Sequence, residues 1–124
     1  MAGFKLVYCS WRYNGNILNL QALTSLIDSN NGITCVCIMG GDTNPSEVDD
    51  IAQDIKEYYP KLKVAWYSGK QELSKDINLE FFDFIKLGPY IEELGPLNSK
   101  TTNQRFYKIE NNKLIDITYK FQKL

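Results

Sequence analysis

The sequence predicts an α/β fold, with a partial and mostly parallel sheet that ends in a β-hairpin. Segments with helical spacing of apolar residues alternate with short apolar runs that are typical of buried strands. This alternation implies right-handed crossovers between parallel strands. Only Asn111 and Asn112 separate the last two β-like runs, which indicates a two-residue hairpin turn. A length of 124 residues with 44% hydrophobic content predicts one domain.

This domain is expected to have three parts: an N-terminal segment of residues 1–16, a β/α core of residues 17–95, and a C-terminal loop and hairpin of residues 96–124. In the first part, residues 4–8 alternate like a short strand. The core begins with a helix, because leucine and isoleucine recur at helical spacing from Asn19 until the turn-forming residues 30–32.

The next two elements have the clearest patterns. The continuous apolar run Ile33–Met39 predicts a strand that is buried on both faces. A second helix follows, with Asn44 as N-cap, Pro45 at the first helical position and Glu47 completing a capping box, and it ends at Pro60. Its predicted buried stripe consists of Val48, Ile51, Ala52, Ile55, Tyr58 and Tyr59. Its predicted solvent face consists of Asp49, Asp50, Gln53, Asp54 and Lys56.

The rest of the chain is predicted to be mostly strand. The strands expected from alternation and apolar runs are Leu62–Trp66, Phe82–Leu87, Arg105–Glu110 and Lys113–Phe121. The polar connection Gln71–Asp76 has room for one helical turn.

Composition excludes several classes of function. The chain has no histidine, which removes imidazole general bases, histidine-assisted nucleophiles and histidine-containing metal sites. A net charge of -1 without a long basic run disfavours nucleic acid as a partner. No apolar run reaches about 18 residues, so we expect no membrane association. Three cysteines are too few for a secreted disulfide framework, which favours the cytoplasm.

The three cysteines are the thiol groups that could bind a soft metal ion. Cys35 and Cys37 are two residues apart in a predicted buried strand, where core packing is favoured over metal chelation. Cys9 follows the first predicted strand, and one thiolate is insufficient for a metal centre.

Glycines follow three of the predicted parallel strands, at Gly40-Gly41, Gly69 and Gly88. The carboxyl ends of parallel strands meet at one edge of a sheet, where ligands bind, although strand-to-helix turns need glycine in any case. The turn that ends in Asp42 lacks the lysine of a Walker loop and the third glycine of a dinucleotide fingerprint. Its carboxylate and backbone carbonyls suit a cationic amine better than a phosphate.

Four segments resemble the anaerobic ribonucleoside-triphosphate reductase activating proteins, which belong to the radical S-adenosylmethionine superfamily. These segments are Ile33–Asp42, Val64–Gly69, Phe84–Gly95 and Thr101–Phe106, and the resemblance covers about residues 17–121. It implies part of a radical-S-adenosylmethionine-like (β/α) barrel. It also implies that Gly40, Gly41 and Asp42 hold the amino group of S-adenosylmethionine, with Ser68 and Lys86 at the same edge.

The resemblance implies that S-adenosylmethionine is reductively cleaved at a [4Fe–4S] cluster. The resulting radical chemistry would place a glycyl radical on anaerobic ribonucleotide reductase, which is the implied partner. The family holds its cluster with a C-x3-C-x2-C loop, and this chain has no such motif; Cys9 matches at most its last cysteine. We therefore expect an N-terminally truncated homologue that is inactive as written and binds neither cofactor. The segment Asn103–Arg105 resembles the family's C-terminal signature, without an assigned role.

Two alternatives remain from other classes. One is a non-catalytic binding or interaction module that keeps the cofactor groove or the partner-docking surface. The other, a flavodoxin-like nucleotide binder, is disfavoured because residues 10–15 supply too few phosphate-binding groups.

Overall fold

The computed structural model describes residues 4–6, 12–13, 16–17, 24–25, 27–29 and 32–122, with side chains from residue 24 onward. The predicted strand at residues 4–8 is present as Phe4–Leu6. Residues 24, 25, 27 and 28 are helical, in agreement with the first predicted helix, the rest of which lies outside the described residues.

The described strands confirm an α/β fold with a mixed sheet. They are β1 (Phe4–Leu6), β2 (Arg12–Tyr13), β3 (Asn16–Ile17), β4 (Cys35–Met39), β5 (Lys63–Tyr67), β6 (Phe84–Leu87), β7 (Arg105–Glu110) and β8 (Lys113–Asp116). Strands β4 to β8 lie side by side in chain order, β1 pairs with β4, and β2 pairs with β3 in a separate ribbon. In the six-stranded sheet, β1, β4, β5 and β6 pair in parallel, whereas β6, β7 and β8 pair antiparallel. The β2–β3 ribbon is antiparallel. Among the described strands β1 and β8 are the two edges, so this sheet is open and is not a closed barrel.

Both faces of the central strands are buried, as the apolar run predicts. Residues Cys35 to Ile38 are at most 2% exposed. The sheet face toward the long helix (Pro45–Tyr58) includes Val36, Ile38, Val64, Trp66 and Ile85, and the helix packs on it with Val48, Ala52 and Ile55. The opposite face includes Cys35, Cys37, Ala65, Phe84, Phe106 and Ile117.

The N-terminus of the long helix differs from its prediction. Pro45 is its first residue, as predicted. The Asn44 side chain does not cap the helix; its Oδ1 accepts a hydrogen bond from Ser46 Oγ at 2.8 Å. Glu47 N instead donates to the backbone oxygen of Asn44 at 3.1 Å. The predicted capping box is therefore wrong, because Ser46 takes the acceptor that the cap would use.

Two polar residues predicted to face solvent on this helix are instead paired with distant parts of the chain. Asp49 is only 7% exposed, and its carboxylate accepts hydrogen bonds from Asn78 N at 2.7 Å and Asn78 Nδ2 at 2.6 Å. Lys56 Nζ donates to Asp83 Oδ2 at 2.5 Å, and the same oxygen accepts from Val64 N at 2.8 Å. Conversely Tyr58, predicted in the buried stripe, is 55% exposed.

The C-terminal hairpin is confirmed at its turn and is shorter than predicted. Asn111 and Asn112 have φ of 52° and 59°. Positive φ at both residues is typical of a two-residue hairpin turn that matches the right-handed twist of the flanking strands. Beyond Asp116 the predicted strand is wrong, because residues Thr118–Phe121 form a 3-10 helix. Thr118 explains the change: its Oγ1 accepts from Phe106 N at 2.8 Å, and its own N donates to Asp116 Oδ1 at 2.9 Å.

The connection between β5 and β6 also differs from its prediction. A 3-10 helix occurs at Leu79–Phe81 rather than within Gln71–Asp76.

No helix in the described part of the chain has the length and apolar character needed to cross a membrane.

Burial of Cys35 predicts a loss of stability at alkaline pH. Desolvation, followed by the charge of Asp83, raises the pKa of this thiol from 9.0 to about 11. The unfolded chain ionises first, so this contribution to stability is complete below pH 9 and is lost as pH rises toward 11. We expect Cys35→Ala to reduce the decline between these values by roughly 1–2 kcal/mol in urea titrations. Equal declines in the parent and the variant would contradict this assignment.

Candidate functional site

The candidate site lies at the carboxyl edge of the parallel strands. Met39, Tyr67 and Lys86 are adjacent in register at the ends of β4, β5 and β6, so the turns that follow lie side by side. In the first turn Gly40 and Gly41 have φ of 89° and 88°, a left-handed backbone that glycine adopts without strain. The structure thus assembles the glycine-marked edge that the sequence predicts.

Asp42 is held rigidly across this edge. Its Oδ1 accepts from Ser68 Oγ at 2.5 Å and its Oδ2 accepts from Gly69 N at 2.8 Å. Ser68 is 1% exposed, and its Oγ also accepts from Lys70 N at 3.0 Å. A Cβ at position 69 would lie 3.2 Å from Asp42 Oδ2, so glycine permits this close approach. The orientation of the carboxylate is therefore determined by the turn after β5.

Trp66 supports the Gly40–Gly41 turn through a hydrogen bond, a role that its sequence pattern did not predict. Its indole Nε1 donates to the backbone oxygen of Gly40 at 2.7 Å, while the side chain is only 1% exposed. Alternation identifies Trp66 as a core residue, and a buried indole N–H needs a partner. The sequence therefore indicates that the Trp66 indole has a hydrogen-bond acceptor, but it does not indicate which one.

Lys86 differs from the other predicted site residues in the side of the sheet that it occupies. Its Nζ lies 5.7 Å from the centroid of the Tyr67 ring, and Tyr67 packs on the face opposite the long helix. Burial lowers the pKa of Lys86, whereas the charge of Asp42 acts in the opposite direction. Its backbone oxygen accepts from Ser68 N at 2.9 Å. Lys86 therefore contributes its backbone oxygen to the turn at Ser68, while its side chain lies over the Tyr67 ring.

An open cleft of about 610 Å³ lies beside Asp42, on the side of the sheet that carries the long helix. The charged residues that line it are Asp42, Lys70, Glu72 and Lys75. Lys70 and Lys75 are exposed, and neither forms an ion pair with another described residue. The sequence predicts residues 71–76 only as a polar connection, since it is the folded chain that places them beside the glycine turns.

The segment Asn103–Arg105, which had no assigned role, holds the loops of this edge together. Asn103 Nδ2 donates to the backbone oxygen of Pro89 at 3.0 Å, and the Gln71 side-chain amide donates to the backbone oxygen of Asn103 at 3.0 Å. The buried Gln104 donates from Nε2 to the oxygen of Gly88 at 3.4 Å. A Cβ on Gly88 would lie 3.1 Å from Gln104 Cα, so the segment packs directly on this turn.

The described residues do not fit an iron–sulfur cluster. The thiols of Cys35 and Cys37 are buried among Ala65, Phe84 and Phe106, and burial raises the pKa of Cys35 to about 11, which disfavours the ligating thiolate. Cys9 lies outside the described residues. Within the described part of the chain, no three cysteine or carboxylate side chains cluster as a metal ion requires.

No family model, no curated protein and no solved structure matches the chain.

Proposed function

We propose that the chain is a homologue of the anaerobic ribonucleoside-triphosphate reductase activating proteins that serves as a non-catalytic binding module. In this proposal the open sheet corresponds to part of a radical-S-adenosylmethionine-like (β/α) barrel. The groove at its carboxyl edge retains the ability to take the amino group of S-adenosylmethionine. The implied partner is the anaerobic ribonucleotide reductase, in the cytoplasm.

The observation that carries the proposal is the fixed carboxylate of Asp42 at the rim of an open cleft. Ser68 and Gly69 each occupy one acceptor site on this carboxylate, one on each oxygen. A carboxylate has about four such sites, so two remain for an ammonium group. Because the orientation is already set by the protein, a ligand amine does not have to order the carboxylate when it binds.

A binding role fits the site better than cluster-dependent catalysis. In the resembled family the cluster supplies the electron that cleaves S-adenosylmethionine. The described cysteines are buried in the core, where they cannot bind that cluster. What the described residues provide is a charged, pre-formed groove.

Titration with S-adenosylmethionine and S-adenosylhomocysteine, followed by amide chemical shifts, tests this proposal. In the resembled family the cluster iron binds both the amino and the carboxylate groups of the ligand. Loss of two such contacts weakens binding by roughly 3–6 kcal/mol, so we expect dissociation constants of about 1 mM or above. The shifts should concentrate at Gly41, Asp42 and Gly69.

The matched variants are Asp42→Asn and Asp50→Ala. Asp42→Asn keeps hydrogen-bonding capacity and removes the charge, so it should weaken binding roughly tenfold, while the exposed Asp50 should have no effect. Absence of shifts at the edge with about 20 mM ligand contradicts a retained groove. A stoichiometric iron–sulfur cluster after anaerobic reconstitution contradicts the non-catalytic role.

A further inference from the structure

We propose that the cleft binds an α-amino-acid group directly through protein side chains, with its ammonium on Asp42 and its carboxylate on Lys70 and Lys75. This inference rests on the proposed function and deepens it, since it names protein groups for the ligand carboxylate. The ligand class is a zwitterion with an attached group, in place of a phosphate or a simple amine.

The charge of the cleft favours a zwitterion. Its charged lining consists of two carboxylates, on Asp42 and Glu72, and two ammonium groups, on Lys70 and Lys75. A polyanion would meet both carboxylates, and a simple amine would meet both lysines. A ligand that carries one charge of each sign is attracted at both ends when it is aligned along the cleft.

The backbone that carries the lysines is held in place. Lys70 N donates to Ser68 Oγ at 3.0 Å, and Lys70 O accepts from Gly88 N at 2.7 Å. The turn that contains Lys75 is closed by a hydrogen bond from Asp76 N to Ser74 Oγ at 3.1 Å. Ser68 thus links the two ends of the site, because the same hydroxyl donates to Asp42 and accepts from Lys70 N.

The size of the cleft indicates that the amino-acid group belongs to a larger molecule. A volume of about 610 Å³ lies within the usual range for small-molecule sites, roughly 300–1,000 Å³, and exceeds what one amino acid fills. Pro45 and Leu73 also line it and provide apolar surface for the attached group. The shared chemistry is the α-amino-acid group, whether in free methionine or in S-adenosylmethionine.

The test compares S-adenosylmethionine, its decarboxylated analogue and methionine on the whole chain, with dissociation constants from amide chemical shifts. We expect S-adenosylmethionine to bind about fivefold more tightly than the decarboxylated analogue, because exposed charge pairs contribute modestly. The double variant Lys70→Gln/Lys75→Gln should remove this preference without weakening binding of the analogue, because a ligand that carries only positive charge gains nothing from the two lysines. The control Lys61→Gln/Lys100→Gln, at two exposed lysines outside the cleft, should keep it.

The outcomes separate this inference from the proposed function. If both adenosyl ligands bind equally and Asp42→Asn weakens both, the lysines do not hold the carboxylate, and the proposed function stands. If methionine binds in a lysine-dependent manner and the adenosyl ligands do not, the α-amino-acid site is supported and the cofactor assignment is overturned. If none of the three shifts the edge residues, both proposals are overturned.

Discussion

Replacing Ile55 by aspartate is expected to abolish cooperative folding. Ile55 is 1% exposed and packs on the sheet in the cluster that contains Val48, Val64 and Trp66. A carboxylate has no partner in this apolar layer, and an unpaired buried charge costs many kcal/mol unless it is neutralised. The whole stability of such a domain is only about 5–15 kcal/mol. Urea denaturation followed by circular dichroism should show no native baseline.

The matched control is Gln53→Asp on the same helix. Gln53 is exposed, so the same new side chain should change the unfolding free energy by no more than about 1 kcal/mol, which includes repulsion from Asp49 and Glu57 four residues away. A cooperative transition for Ile55→Asp near that of the parent would show that the long helix does not pack by this face.

Asp49→Ala is expected to destabilise the chain by about 2–4 kcal/mol, the second largest effect. The substitution removes the acceptors of two hydrogen bonds, from Asn78 N and Asn78 Nδ2; a hydrogen bond to a charged group contributes roughly 1.5–3 kcal/mol net, and the lower end applies here because Asn78 is exposed. It also frees the connection that leads into the 3-10 helix Leu79–Phe81. The midpoint of urea denaturation should fall without a large change in slope.

Asp50→Ala is the control for this prediction. It removes the same charge from the next residue of the same helix, but Asp50 is exposed, so its effect should stay below about 0.5 kcal/mol. Equal destabilisation by the two variants would mean that Asp49 contributes only through helix electrostatics, and the link to Asn78 would lose its energetic role.

Several elements were predictable because local chemistry determines them. Pro45 and the spacing of Val48, Ala52 and Ile55 predict the long helix, and the apolar run that ends at Met39 predicts a buried strand. Asn111 and Asn112 predict the hairpin turn, because both tolerate a positive φ. In each case the signal lies within a few neighbouring residues.

The candidate site was predictable in part. Gly40, Gly41 and Asp42 follow one strand and Ser68 follows the next, so the topology of a parallel sheet brings them to one edge. The sequence did not predict that the Lys86 side chain lies on the opposite face of the sheet from Trp66. Alternation along β6 and its register with β5 place it there. Lys70 and Lys75 were missed because a polar connection has no periodicity that reports which surface it covers.

By itself, the sequence determined the α/β class, the long helix, the buried central strands and the glycine-marked edge. Only the tertiary structure determined which polar residues are buried and which groups they form hydrogen bonds with. Asp49 looks like any exposed helix carboxylate until Asn78, 29 residues later, is brought against it. Thr118 ends a strand because Phe106, 12 residues earlier, donates to its hydroxyl. A polar side chain satisfies its hydrogen bonds equally well with water or with a distant partner, so its local pattern carries no record of which one the fold supplies.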